Sequence, residues 1–266
     1  MTEKDPHFKI TVKAEREVAY DSPDHTMPWG TRRDNSHNLR FNKKVQFLFR
    51  PGRDQVFSVL DLGCSGGGFV RDCLNDGWLG VGLEGSDISK KFRRAEWATI
   101  PDFLFTCDIT KNFDVLAETG DKTQLVQFDL VTSWEVMEHI AETDLPKLAE
   151  NVKKHLKPSG LWIMSVSPNE EVIDGVHLHQ TVKPKEWWVQ TFAKLGLIHK
   201  EEYVRYFNTQ FVRGPKYDGP GSFHLALSLN PALAPQIPKS RLGTSVYDAW
   251  LGSRYQKLLK RWVVGE

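Results

Sequence analysis

Two groups of residues in this 266-residue chain have the types and spacing for chemistry. The first begins where an apolar run, Val56 to Leu62, ends in a glycine-rich turn: Asp61-Leu-Gly63-Cys64-Ser65-Gly-Gly67-Gly-Phe69. Glycines let backbone approach a ligand closely, and a helix opening from such a turn offers unpaired N–H groups and a positive dipole end. About twenty residues on, the run from Leu79 ends in Glu84-Gly85, where an acid can accept both hydroxyls of a ribose. A third run ends in Asp108-Ile109. The second group is Trp134-Glu135-Val-Met-Glu138-His139, followed later by His177-Leu-His179. Two carboxylates and two imidazoles can hold a divalent cation with water positions open. Without a metal, His139, His177 or His179 has a suitable pKa for taking a proton from a hydroxyl near neutral pH. The spacing does not choose between His177 and His179.

The glycine pattern discriminates among nucleotides. A dinucleotide fingerprint needs Gly-x-Gly-x-x-Gly. Counted from Gly63 the chain supplies Gly63, Ser65 and Gly68, so the glycine that leaves room for a pyrophosphate is missing. A P-loop is excluded, because no Gly-Lys-Ser/Thr follows. The pattern resembles motif I of the class I S-adenosylmethionine (SAM)-dependent methyltransferases, an acid followed by Gly-x-Gly-x-Gly, here with Ser65 for the middle glycine. With motif I included, four motifs stand in the family's order between Val56 and Leu197. The resemblance implies SAM as cofactor, bound by Asp61, Gly63, Cys64, Ser65, Gly67, Glu84, Gly85, Asp108, Ile109, Trp134 and Glu135. It implies that Asp108 accepts from the adenine amino group while Ile109 covers the ring. Glu-x-x-Glu-His with a later His also resembles the metal site of small-RNA 2′-O-methyltransferases, and its first half resembles ubiquinone-biosynthesis O-methyltransferases. That likeness implies Mg²⁺ or another divalent cation held by Glu135, Glu138, His139 and His179.

The elements that must position these residues read as an α/β fold. The expectation is a Rossmann-like seven-stranded mixed sheet flanked by helices, with N- and C-terminal helical additions. Strands are expected at Val56 to Leu62, Leu79 to Glu84, Phe103 to Ile109, Phe128 to Trp134, Leu161 to Val166, Leu197 to Phe207 and Phe223 to Asn230. Helices are expected at Phe41 to Phe49, Phe69 to Asn75, Ser89 to Thr99, Glu142 to Leu156, Lys185 to Leu195 and Val246 to Val263. Residues 1–55 form an N-terminal extension, with Trp29 to Arg40 expected to act as a lid or substrate segment. Residues 56–230 make the SAM-binding domain, and 231–266 a linker and C-terminal helix.

Formal net charge is +1. That disfavours a broad nucleic-acid surface, though not a local basic patch. No stretch is apolar enough to span a membrane, and the N-terminus does not read as a signal peptide, so a cytoplasmic protein is expected. Three cysteines without metal-ligand pairing fit reduced thiols. The expected function is methyl transfer to oxygen of a sugar, glycan precursor or other polar small molecule, with the oligomeric state open. Polar, aromatic-rich segments around Trp29, His37 and Arg40, and around His177, His179, Trp187 and Trp188, suit sugar faces. The alternatives are an RNA 2′-O-methyltransferase with a metal-assisted site and a SAM-fold binding protein without catalysis.

Overall fold

In the computed structural model, which describes residues 8–28, 32–52, 55–215, 219–239 and 262, strand alternation divides the core in two. Along β2 (Ser58–Leu62), Val59 faces one apolar cluster while Leu60 and Leu62 face the other. Along β8 (Leu156–Val166), Leu161 and Ile163 take the first face and Trp162, Met164 and Val166 the second. Two buried faces require layers of helix on both sides, which is why these strands read as nearly continuous apolar runs.

The main sheet has seven strands. Its order is β11 (Ile198–His199), β12 (Phe223–Ser228), β8, β7 (Phe128–Trp134), β2, β3 (Leu79–Glu84) and β4 (Leu104–Thr106). β4, β3, β2, β7 and β8 run parallel; β12 pairs antiparallel with β8, and β11 pairs antiparallel with β12 and so runs with the other five. Strand order reverses between β2 and β7, so their carboxyl ends open a crevice for a ligand. One face carries α1 (Leu39–Phe49), α2 (Gly68–Asn75) and α3 (Glu201–Phe207) around Phe41, which stacks on Phe207 at 4.9 Å and meets Trp134 edge-on at 5.2 Å. The other face carries α4 (Leu145–His155) and α5 (Lys185–Lys194), which bury Leu148, Val152, Trp188 and Phe192. Leu39–Phe49 starts where the Asn38 side chain accepts from the Arg40 N–H, and it buries Phe41, Val45 and Leu48 at helical spacing.

Several elements differ from the sequence reading. Leu197 to Phe207, expected as one strand, is a two-residue strand followed by a helix. Glu201 and Glu202 sit in its first turn, and Tyr203 and Phe207 are both buried four residues apart. The third strand shortens to Leu104–Thr106. Ser89 to Thr99 breaks into a short helix, Ile88–Lys91, and a 3₁₀ turn, Ala95–Ala98. A second sheet was not foreseen: β1 (Phe8–Ala14) pairs antiparallel with β5 (Phe113–Thr119), which pairs with β6 (Lys122–Leu125). It anchors the polar N-terminal extension, whose next residues run across the ends of the main strands. The expected helix at Val246 to Val263 falls outside the described residues, apart from Trp262. Among the described residues no helix is long and apolar enough to cross a membrane.

Candidate active site

The glycine turn follows β2 directly. Gly63 and Gly67 have φ of +74° and +87°, and Ser65 holds +46°. A Cβ at Gly63 would lie 2.5 Å from Val136 Cγ2, so only glycine lets the turn and the segment after β7 come this close. The Ser65 N–H donates to Glu84 Oε2 at 2.7 Å and the Ser86 N–H to Oε1 at 3.0 Å. Glu84 thereby clasps the turn at the end of β3. Burial raises its pKa, and those two backbone bonds act in the opposite direction. Asp61 is buried behind the turn and accepts from the Thr132 hydroxyl at 2.6 Å; burial pushes its carboxyl up to about 8.

A cavity of about 580 Å³ opens at the carboxyl ends of the strands, within the usual range for small-ligand sites. Gly63, Ser65, Glu84 and Gly85 line one part of it, and Asp108, Ile109, Trp134 and Glu135 another. Asp61, Cys64 and Gly67 are not on its wall. Cys64 packs beneath Gly82, where a Cβ would meet its Sγ at 2.8 Å, and burial pushes its thiol well up. Gly67 lies against Leu104 and Glu96. These three shape the turn from behind.

The N-terminal extension supplies the opposite wall. The Ala19 N–H donates to the Gly85 carbonyl and the Asp108 N–H to the Arg16 carbonyl, both at 2.9 Å. Both side-chain oxygens of Asp108 are engaged: Oδ2 accepts from the Arg16 guanidinium, and Oδ1 from the N–H and hydroxyl of Thr110. Asp34 and Asn35 cover the glycine turn; a Cβ at Gly66 would lie 2.4 Å from Asn35 Oδ1. Arg94 and Arg213 both bond Asp34. Trp29 lies outside the described residues.

Beyond Glu135 lie the second group of residues. Glu138 is in a 3₁₀ turn, Met137–His139, and its carbonyl accepts from the Gln180 and Thr181 N–H groups at 2.7 and 2.9 Å. This stitches the loop after β10 (Val176–His177) onto the end of β7 and brings His179 against His139, rings perpendicular with centroids 4.6 Å apart. His177 is exposed on the hairpin of β9 (Val172–Ile173) and β10 and does not line the cavity; His179 does. Nδ1 of His179 donates to the Asn169 carbonyl at 2.5 Å, so that nitrogen carries the proton, and Nε2 lies 3.2 Å from Glu171. His139 Nδ1 lies 2.8 Å from Asp24 Oδ2, an ion-pair contact without the alignment of a hydrogen bond.

Charge follows from these contacts. Burial pulls the His139 pKa down, but Asp24, then Glu138 and Glu171, more than reverse it, and it rises to about 9. Burial lowers that of His179, helped by the positive His139. Glu138 is buried, and that pushes its carboxyl up to about 8. Near neutral pH His139 is therefore an imidazolium and His179 a neutral imidazole. Donor atoms of Glu138, His139 and His179 lie within 4.8 Å of one another, a set with the composition of a divalent-cation site. Glu135 is not part of it; its Oε2 accepts from the Ser222 hydroxyl at 2.8 Å.

Asp24, Arg16, Asn35 and Glu171 were not singled out in the sequence. They come from segments without periodicity, and only the fold carries Asp24, Arg16 and Glu171 to the cavity and Asn35 onto the glycine turn.

A mixed sheet whose order reverses at β2, an acid at the end of β3 and a glycine turn beneath the cavity mark a class I SAM-dependent methyltransferase. The methyltransferase-domain family model matches residues 32–210, well over half of the chain, and the chain belongs to that family. None of the curated proteins compared with the chain matches it. Among solved structures it is similar to an S-adenosylmethionine-dependent methyltransferase from Clostridium acetobutylicum ATCC 824, with 14% identity, 72% of this chain and 90% of that one covered, and a TM-score of 0.49. It is also similar to a TehB-like SAM-dependent methyltransferase from Corynebacterium glutamicum, with 15% identity, coverage of 78% and 97%, and a TM-score of 0.46. A third is the PH0226 protein from Pyrococcus horikoshii OT3, with 17% identity, coverage of 77% and 98%, and a TM-score of 0.45.

Proposed function

We propose that this methyltransferase transfers the methyl group to a hydroxyl oxygen of a sugar, glycan precursor or other polar small molecule, with His179 as the general base. The observation that carries this reading is the imidazole of His179 on the cavity wall, its Nδ1 proton committed to a carbonyl and its lone pair therefore on Nε2, 3.2 Å from Glu171. Bound SAM supplies an electrophilic methyl on a sulfonium. An alcohol attacking it must lose a proton, and Nε2 of His179 takes that proton. His139, paired with Asp24, holds the His179 ring edge-on.

On the cofactor side, Glu84 accepts from the ribose hydroxyls with the lone pairs its backbone donors leave free. Gly63 and Ser65 border the methionine part. Asp108 accepts from the adenine amino group beside Ile109, which requires Arg16 to yield part of Oδ2, because four donors already fill that carboxylate. Within the N-terminal extension, residues 16–25 act as a lid over the cavity and Asp34 and Asn35 as a cover on the glycine turn. Three buried, unpaired thiols suit a reducing cytoplasm.

A second reading is a divalent cation on Glu138, His139 and His179 that binds the acceptor hydroxyl, favoured by the convergence of their donors. The test of the main reading is His179→Ala: turnover of radiolabelled SAM with polyhydroxylated acceptors should fall by about 10²–10⁴-fold while SAM affinity holds. Undiminished turnover would remove His179 as the base.

A further inference from the structure

Ten of the side chains lining the cavity are Asp or Glu, and three are Lys or Arg. Those three cations already have acidic partners. Arg16 pairs with Asp108 and Asp21, Arg213 with Asp34, and Lys111 lies 3.9 Å from Asp144. Glu84 has two backbone donors, and Asp24 and Glu171 face the two histidines. Glu135, Glu138 and Glu170 remain, and Glu170 is exposed to solvent. Each of the first two has one carboxylate oxygen that is buried and accepts from nothing: Oε1 of Glu135 and Oε2 of Glu138. Glu138 has no exposed surface, and its other oxygen accepts from the Ser167 N–H at 2.9 Å. Glu135 is held at φ +55°, its N–H on the Ser165 hydroxyl and its Oε2 on that of Ser222.

Leaving a buried acceptor unpaired is costly, and more so when it is charged. Two such acceptors three residues apart on one wall, among described residues that offer no uncommitted cation, call for a donor brought by a ligand. A phosphate or carboxylate would meet a surplus of acids and no free positive charge. Neutral hydroxyls would supply single donors and no positive charge for the surplus of acids on the wall. An ammonium supplies three donors and the opposite charge.

We propose that the methyl acceptor carries a protonated amine, as an amino sugar or another hydroxylated amine does, and that Glu135 and Glu138 hold that ammonium in the cavity while a hydroxyl of the same molecule faces His179. The ammonium subsite rests on the carboxylate geometry alone; the orientation of the hydroxyl rests on the oxygen-transfer reading above.

The test uses the full chain saturated with S-adenosylhomocysteine (SAH). Glucosamine, galactosamine and mannosamine are titrated calorimetrically, each beside its N-acetyl form, which has the same hydroxyls and no charge. At least one amine should bind tenfold or more tighter than its acetylated partner. Glu138→Gln should abolish that preference with SAH affinity intact, and Glu135→Gln should reduce it. Equal binding of amine and N-acetyl forms, or binding of neither, would overturn the proposal. So would weakened SAH binding in Glu138→Gln, which would give the carboxylate to the cofactor, or displacement of the amines by Mn²⁺ or Mg²⁺, which would give it to a metal. Transfer is scored separately by locating the methyl group in the product. An amine preference with methyl on nitrogen sinks the oxygen reading and keeps this one. Oxygen transfer to neutral or anionic acceptors without amine preference does the reverse.

Discussion

Replacing Glu84 by Gln is the sharpest probe of the cofactor assignment. A carboxylate has about four acceptor positions. In Glu84, the Ser65 and Ser86 N–H groups at 2.7 and 3.0 Å take two of them, one on each oxygen. Two remain for a pair of ribose hydroxyls. A hydrogen bond to a charged group contributes roughly 1.5–3 kcal/mol. Gln keeps the shape and one carbonyl acceptor, so one backbone or ribose donor keeps its partner and the others lose charge assistance or meet an NH₂ group. The net loss in SAM affinity should be about 1.5–3 kcal/mol, which is roughly 10–150-fold in Kd. Ala is the poorer choice, because it strands the Ser65 N–H and loosens the turn, where the Trp97 indole also donates to the Ser65 carbonyl at 2.8 Å. Calorimetric titration with SAM and with SAH gives the Kd values, and thermal unfolding without ligand checks that the variant is folded. Because SAM carries one more positive charge than SAH, the loss should be larger for SAM. A folded variant whose Kd stays within about threefold of the original, under 0.7 kcal/mol, would refute the ribose assignment.

Asp61→Asn tests the buried carboxyl. Its folded pKa near 8 stands above the usual 3.8, so the native state holds a proton that the unfolded chain releases, and that stabilisation is lost as pH rises from about 4 to 8. Asn cannot titrate, so the variant should gain on the parent by up to about 1.4 kcal/mol per pH unit over that window in urea unfolding of the ligand-free protein; a difference independent of pH would contradict the burial argument. Gly66→Ala puts a methyl group 2.4 Å from Asn35 Oδ1 and 2.8 Å from the Asp34 carbonyl, and it should lift that segment off the turn and depress turnover, whereas wild-type turnover would rule out a lid role for residues 34–35. Exhaustive chelation should leave turnover unchanged if His179 is the base; a loss restored by Mn²⁺ or Mg²⁺ would move Glu138, His139 and His179 to the metal reading.

The cofactor half of this protein was legible in the sequence because its residues are local to single strand ends. Alternation in Val59 to Leu62 marks a two-faced buried strand, the glycines mark a turn with positive φ, and acids closing successive apolar runs fall at the same edge of a parallel sheet. Short-range geometry alone brings Glu84 and Asp108 there. The rest was decided by tertiary structure. Tyr203 and Phe207 lie in an apolar-rich run that also suits a strand, and the helix prevails because both side chains enter the aromatic cluster around Phe41. His177 and His179 have the same residue type two positions apart. Only the Gln180 and Thr181 N–H bonds to the Glu138 carbonyl turn one into the cavity and leave the other on a hairpin. Asp24 and Arg16 sit in polar sequence with no period to read. They reach His139 and Asp108 because β1 pairs with β5, and a contact between residues more than ninety positions apart is set by that pairing, which no local pattern in either segment encodes.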